Sequence, residues 1–382
     1  MSKTIVSIIS AQTIPNVLFI KEMYKEGDKL MFIASRIMES KINWIVNAIN
    51  IPNVAQTTNI VFENNDDEER WDIMCDKIKS YLSDNEKYFV NLTGGTKYMD
   101  FAVSEIFEKY DSTIYYIPYP KNYILSPRSH DNILIKTRLS VADYLTAYNI
   151  PFKCKKITQS EEYTLSFYNL YVNGNLSNEE KIILDKLRAY RNGKGKNKAG
   201  IEKPFTVAEL ETREDTEKKP RIDGLLAFLN RTNFPIRNNE LSKYDIQFLT
   251  GGWFEEYVFH LIKAKISPDD IQIGVEIQKS ESTNINDLDV VFTKGNKLYV
   301  IECKTGVGSE GLFNQIVYKA SALKEKLLGL SAKSYIFSLN PPIDDRLKST
   351  AVNMGTNYID LSDFTDCGKM DNLFESIIKQ SF

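Results

Sequence analysis

The stretch Asp289-Val-Val-Phe-Thr-Lys-Gly295-Asn296-Lys-Leu-Tyr-Val-Ile-Glu302-Cys-Lys304 decides how the C-terminal part of this 382-residue chain is read. Two apolar β-type runs flank Gly295-Asn296, a two-residue hairpin signal in which glycine supplies the positive φ of the first turn position. With that turn Lys294 pairs with Lys297, and the same register sets Asp289 directly opposite Glu302. Facing residues hold their Cβ atoms about 4.5–5.5 Å apart, so two carboxylates repel there unless a cation lies between them. Leu298, Val300, Glu302 and Lys304 share one face of the second run, which places the ammonium one pleat beyond Glu302. Val300 and Ile301 make that run apolar on both faces, the pattern of a buried central strand. Charged residues at the end of such a strand need a chemical reason. Paired carboxylates would grip Mg²⁺ or Mn²⁺, which polarises a scissile phosphate and acidifies a bound water. The lysine would orient that water or offset charge on the phosphoryl oxygens. On spacing alone, a surface hairpin with an accidental D…E-x-K remains the plain alternative.

Around the hairpin, residues 245–382 predict a helix at Trp253–Ala264, strands at Ile271–Gln278, Asp289–Thr293 and Leu298–Cys303, a helix at Leu312–Leu328 and a strand at Lys333–Ser338. This α-β-β-β-α-β order, with Asp289 and Glu302-Cys303-Lys304, resembles the PD-(D/E)xK nuclease superfamily. The leading helix, Gly251-Gly252-Trp253-Phe254-Glu255-Glu256-Tyr257-Val258, resembles the G-x-x-F-E helix of that superfamily, whose glutamate often completes the metal site. The resemblance implies a restriction-endonuclease-like domain in which Asp289, Glu302 and Glu255 bind the metal and Lys304 joins them in catalysis. Glu256 is the alternative helix ligand, and either glutamate could simply complement the helix dipole. Asp287 reads as a hairpin-edge charge rather than a spare ligand. Gln315 and Lys319, at i and i+4 on the following helix, could project toward the hairpin or lie on the surface.

Residues 1–140 alternate β-type runs (Thr4–Ile9, Leu30–Ala34, Asn59–Phe62, Tyr88–Leu92, Thr113–Ile117) with helical patterns, which predicts an α/β, doubly wound parallel sheet. Asn91-Leu-Thr93-Gly94-Gly95-Thr96-Lys97 is a strand-to-helix turn of small residues. Its backbone N–H groups, the Thr93 and Thr96 hydroxyls and Lys97 suit an anion. The spacing is not that of a Walker A loop, which disfavours a nucleoside triphosphatase. A second polar turn, Ser10-Ala11-Gln12-Thr13-Ile14-Pro15-Asn16, and the pair Ser35-Arg36 fall on the same edge of the expected sheet.

These two turns resemble those of the CARF (CRISPR-associated Rossmann fold) domain, and the whole chain resembles the CARF-domain effector nucleases of type III CRISPR defence. The resemblance implies cyclic tetra-adenylate as activator, bound across the two-fold axis of a homodimer, with RNA or DNA as substrate. It points to Gln12, Thr13, Ser35, Asn91, Thr93, Gly94, Gly95, Thr96 and Lys97 as ligand contacts. Residues 141–244 read as a partly helical connector with helices at Val141–Tyr148 and Glu179–Tyr190. Its basic loop, Arg191 to Gly200, is either solvated or a phosphate-contacting arm.

Composition narrows the chemistry further. Four cysteines without a C-x-x-C pair and two histidines leave little for a zinc or histidine-metal site, so a metal would be a hard ion on carboxylates. The cysteine usage favours a reducing compartment, and no stretch approaches the roughly 18 apolar residues of a spanning helix. A cytoplasmic protein with no membrane partner is expected. A net charge of −3 excludes nothing, since a basic groove can hide inside a neutral sum.

Overall fold

The computed structural model describes residues 2–64, 67–129, 132–192, 204–216, 219–278, 285–305, 317, 332–339 and 345–380. At the N-terminus, strands β1 (Thr4–Ile8), β2 (Lys29–Ser35), β3 (Thr57–Phe62), β4 (Tyr88–Asn91) and β5 (Ser112–Tyr115) alternate with helices α1 (Ile14–Met23), α2 (Ser40–Ile49), α3 (Trp71–Lys79) and α4 (Lys97–Phe107). The strands form one parallel sheet in the order β3-β2-β1-β4-β5, the doubly wound arrangement expected from the alternation. Period-two patterning sorts its side chains. Ile5, Leu30 and Phe32 pack toward α1 and α2, while Val6, Ile8, Met31 and Ile33 pack toward α3 and α4. The chain leaves β1 toward one edge and returns at β4 on the other side. The turns after β1 and β4 therefore open at the topological switch point, where such sheets take ligands.

A small hairpin, β6 (Tyr123–Leu125) and β7 (Asn132–Leu134), leads to α5 (Val141–Ala147). That helix is started by a capping box in which Ser140 Oγ accepts from Asp143 N and Asp143 accepts from Ser140 N.

Beyond α5 the chain departs from the expected connector. Strand β8 (Phe152–Cys154) leaves the first unit at once and pairs with the second sheet. Then come α6 (Glu161–Val172), α7 (Asn178–Asn192), β9 (Phe205–Thr206), α8 (Val207–Thr212), α9 (Leu225–Arg231), β10 (Glu240–Leu241) and α10 (Lys243–Gln247). Their apolar residues, among them Phe167, Leu187, Leu210 and Phe228, share one core with Trp253, Ile301 and Phe337. From β8 to α10 the described chain is thus a packed part of the second unit. Its runs are short, and a three-residue strand carries too little alternation to be visible in sequence. Most of the basic loop lies outside the described residues.

The remaining elements are α11 (Trp253–Ile266), β11 (Asp270–Gln278), β12 (Ile285–Lys294), β13 (Lys297–Lys304), β14 (Lys333–Ser338), α12 (Asp345–Asn353), β15 (Thr356–Ile359), α13 (Leu361–Thr365) and α14 (Cys367–Gln380). The sheet runs β15-β14-β13-β12-β11-β8, antiparallel from β8 to β13 and parallel from β13 to β15. The helix expected over Leu312–Leu328, with Gln315 and Lys319, lies outside the described residues except for buried, helical Val317.

The two sheets do not belong to separate cores. Leu298 and Val300 of β13, Val291 of β12 and Val275 of β11 pack into the cluster that also holds Ile5, Phe32, Ile45 and Leu145. Tyr299, Ile301 and Cys303 face the other way, into the core built by α6–α11. β13 is therefore a central strand buried on both faces, because sequence-remote layers sandwich it.

Candidate active site and its control surface

The hairpin forms in the expected register. Lys294 pairs with Lys297 and the ladder continues to Val290 opposite Ile301. Gly295 (φ 55°) and Asn296 (φ 59°) both take positive φ, the mark of a type I′ turn whose twist matches the strands. One step further, where Asp289 meets Glu302, a side chain replaces the backbone ladder: Asp289 Oδ2 accepts from Cys303 N at 2.6 Å. Lys304 Nζ donates to Glu302 Oε1 at 2.6 Å and stands 3.7 Å from Asp289 Oδ2. Asp289, Glu302 and Lys304 are thus brought together at the end of a buried strand.

Their electrostatics are strained in one direction. Burial, then the charges of Glu302 and Glu255, push the Asp289 carboxyl well above the usual range, against Lys304 and the Cys303 N–H. Burial opposes the Lys304 ammonium, but Asp289 and Glu302 outweigh it and raise its pKa. Glu255 acts on Asp289 from α11, so the helix expected to bring a third carboxylate does bring one within electrostatic reach. Glu256 is differently employed. It is 5% exposed, and its carboxylate accepts from Thr158 N, Thr158 Oγ1 and Gln159 N. It pins the chain leading into α6.

The helix that carries both glutamates owes its aim to the glycine pair. A π-type turn over Phe248–Gly252 joins α10 to α11, and Gly251 sits at φ 153°, a backbone state open to glycine.

The donor set is all carboxylate, which suits a hard divalent ion rather than zinc. Among the described residues no three acidic, histidine or cysteine side chains converge as a ready-made metal cage. In this arrangement the Lys304 ammonium, between Asp289 and Glu302, offsets part of their charge.

A feature that no sequence pattern signals ties this hairpin to the first unit. Its turn is buried, with Asn296 fully enclosed. Asn122 Nδ2 donates to Gly295 O at 2.9 Å, and Asn296 Nδ2 donates to Asn122 Oδ1 at 2.8 Å and to Thr137 O at 3.0 Å. Leu139 N donates to Asn296 Oδ1 at 2.9 Å, and Tyr119 OH to Asn296 O at 3.2 Å. Asn296 signalled only a turn in the sequence; nothing local there shows what it docks against.

At the sheet edge, the residues expected to meet a ligand divide into two groups. Thr13 is fully buried and its hydroxyl donates to Ala147 O at 2.5 Å, while Asn91, also fully buried, donates to Asn16 Oδ1 at 2.9 Å. Asn91 Oδ1 in turn accepts from Thr93 N and Thr93 Oγ1, and Thr93 Oγ1 accepts from Ile117 N at 2.8 Å. Gly94 is buried against β1, where a Cβ would lie 2.0 Å from Ile8 O. These four build the turns. Gln12 and Ser35 are partly exposed, and Gly95, Thr96 and Lys97 are exposed. Gly95 holds φ 80°, and Thr96 caps α4 by accepting from Met99 N at 3.2 Å. Lys97, in the first helical position, thus stands beside the free N–H groups of a helix start.

The chain was compared with known proteins. The family model described as the Card1 CARF domain matches residues 4–144, and that described as the Card1-like endonuclease domain matches residues 242–362. Among solved structures, protein VC1899 from Vibrio cholerae is 19% identical over 98% of each chain, with a TM-score of 0.73. Can2 from Sulfobacillus thermosulfidooxidans, solved in complex with cyclic tetra-adenylate, is 20% identical over 100% of this chain and 99% of its own, with a TM-score of 0.68. A type III CRISPR defence DNA nuclease activated by cyclic oligoadenylate is 14% identical, covers 94% of this chain and 48% of its own, and has a TM-score of 0.56. At these identities the structural likenesses speak for the fold. A search of curated proteins found no match. With a Card1-type CARF domain matched at one end and a Card1-like endonuclease domain at the other, the chain belongs to the CARF-domain effector nucleases.

Proposed function

We propose that this protein is a cyclic tetra-adenylate-activated, divalent-metal-dependent nuclease of type III CRISPR defence, cleaving RNA or DNA as a homodimer. The observation that carries the reading is the cluster of Asp289, Glu302 and Lys304 at the end of the buried hairpin, inside the stretch matched to an endonuclease domain. Asp289, Glu302 and Glu255 would hold Mg²⁺ or Mn²⁺, since their summed charge exceeds what Lys304 offsets. The metal, when bound, polarises the phosphate and acidifies the attacking water. The Cys303 N–H fixes the Asp289 carboxylate in place, and the hairpin keeps Glu302 near enough for its charge to act on it. Lys304 lies within reach of both carboxylates and stabilises negative charge as the phosphodiester bond opens.

The ligand half rests on the switch-point turns and on the cyclic tetra-adenylate held by Can2, a protein of the same fold. Gln12, Ser35, Thr96 and Lys97, with the N–H groups around Gly95, would take the phosphates. Beside this edge Tyr98 and Phe101 of α4 are 43% and 67% exposed, an apolar face suited to a second copy. Activation then needs a route to the hairpin. Thr93 holds Ile117 N, two residues before Tyr119, which reaches the Asn296 turn. Thr13 holds the end of α5, and Val141 at its start donates to Asp270 Oδ2 of β11 at 2.8 Å. A tight switch, from 1:99 to 99:1, needs about 5.5 kcal/mol of ligand preference.

The test is cleavage of labelled single-stranded RNA, single-stranded DNA and plasmid, with Mg²⁺ or Mn²⁺, with and without cyclic tetra-adenylate. Cleavage that needs both metal and ligand is the expected result. Cleavage that ignores the ligand removes the gating, and none under any condition leaves a nucleic-acid-binding sensor.

A further inference from the structure

One lysine outside the matched endonuclease stretch stands close to its centre. Lys155 follows β8, the edge strand contributed from before α6. Its backbone N–H lies near two acceptors on β11, Ile273 O at 3.1 Å and Gly274 O at 3.2 Å. Its side chain then crosses the face of Gly274, where a Cβ would meet Lys155 Cδ at 2.4 Å and Lys155 Cβ at 2.9 Å. Gly274 itself takes φ 54° within a strand. A glycine inside a strand weakens it and marks a close approach by something else; here that is the Lys155 stem.

The glycine also marks where the sheet turns over. Ile273 and Val290 face the core of α6–α11, whereas Val275 and Leu288, two residues along, face the core shared with the first domain. Asp289 lies between those two pairs in the register, so Lys155 crosses the sheet where Asp289 is presented. Its Nζ bonds Asp287 Oδ2 at 2.6 Å. Burial works against the ammonium, and Asp287, Glu255 and Asp289 together raise its pKa above the ordinary value. Both members of the pair keep substantial exposure, 39% for Lys155 and 44% for Asp287. A pair so open to water contributes little to stability. The arrangement occupies a strand position without a comparable gain in fold.

The space it borders is a cleft of about 640 Å³ lined by Lys153, Lys155, Lys156, Lys243, Tyr244 and the candidate ligand Glu255. Four lysines and an aromatic ring that is 66% exposed line this groove together with four carboxylates, the candidate ligand Glu255 among them. Lysines over a groove track phosphates, and an exposed ring offers a base a stacking face.

We propose that Lys155 is a phosphate-binding residue of the nuclease centre, a second ammonium on the Glu255 side, which Asp287 holds in place until a nucleic-acid strand enters the cleft. This rests on the nuclease reading above, so the test reads binding separately from cleavage. In the full chain carrying Glu302→Ala, the affinity for a fluorescein-labelled single-stranded RNA and its DNA counterpart is measured by anisotropy over a salt series. Adding Lys155→Gln should weaken binding about tenfold and reduce the salt slope by about 0.7. Lys155→Arg should restore most of the affinity, and Asp287→Asn should leave it unchanged or tighter. In the otherwise unaltered chain, Lys155→Gln should raise KM more than it lowers kcat. If Lys155→Gln and Asp287→Asn instead lower the melting temperature equally and leave affinity and salt slope alone, the pair is a tie between strands and the proposal fails. An unaltered chain that binds strands in a Lys155-dependent way but never cuts them would sink the nuclease reading while keeping the phosphate contact.

Discussion

The Asp289–Lys304 hairpin and the two turns at the edge of the first sheet were both visible as motifs, yet the motif relates to the exposed chemistry differently in each. In the hairpin, a period of two and a two-residue turn leave no freedom. Once Gly295-Asn296 is the loop the register is set, and the structure keeps it as far as Val290 opposite Ile301, the pair next to Asp289 and Glu302. In the turns no such period exists. Of the residues that make up the motif, Thr13, Asn91, Thr93 and Gly94 commit their side chains, or their lack of one, to the turn itself. Gln12, Gly95 and Lys97 are left to face outward, and Thr96, though exposed, also caps α4. A strand motif fixes which side chains come together; a turn motif mixes outward-facing groups with the ones that shape the loop.

The largest effect should separate the two regions outright. Glu302→Ala is expected to reduce cleavage at least about a hundredfold while calorimetric binding of cyclic tetra-adenylate stays unchanged. A loss of ligand binding in that variant would break the division of labour. Lys97→Ala should do the converse. The ligand concentration for half-maximal activation should rise about tenfold to a hundredfold, the range for losing a charged hydrogen bond. The rate at saturating ligand should stay near that of the unaltered chain.

Asn296→Gly sharpens the comparison where the regions meet. Glycine keeps the positive φ but removes the amide that bonds Asn122, Thr137 and Leu139. A destabilisation of about 1–3 kcal/mol is expected, read by denaturant unfolding, together with a smaller ratio of activated to basal cleavage. An undiminished ratio would show that the hairpin turn is an anchor and no part of the route.

The smallest effect is a pH effect at the sensor end. Burial pushes the Asp100 carboxyl, in the first turn of α4, up to about 7 from an ordinary 3.8, and its Oδ1 is buried without a partner. The folded chain keeps a proton that the unfolded chain releases, so stability falls as pH rises from about 4 through 7 and the full cost remains above 7. Asp100→Asn should raise the melting temperature by a few degrees at pH 8 and by less at pH 5. An equal gain at both would show that the carboxyl does not titrate in this window.

The parallel, doubly wound character of the first sheet and the hairpin register of the second were legible because strand–helix alternation and a period of two are local patterns. The third strand-end residue, Lys304, followed from the same alternation as Glu302. Three things were hidden. The role of Glu256 as a pin for Thr158 and Gln159 depends on a loop that no helical pattern places beside α11. Lys155 sits at the end of a three-residue strand, and its significance appears only with Gly274 beneath it. The docking of Asn296 on Asn122 joins residues far apart in sequence, and a turn signal says nothing of what lies on the turn's outer side.

The core shared by the two sheets has a consequence for how such a chain can be rebuilt. Val275, Val291, Leu298 and Val300 complete the packing of Ile5, Phe32 and Leu145, so a cut near residue 150 would strip oil from both pieces rather than sever a tether. A sensor of this kind cannot be transplanted onto a foreign effector like a bead on a string. The graft must bring the matching apolar wall and the asparagine socket with it, and exchanges between relatives should succeed only when the seam travels as one piece.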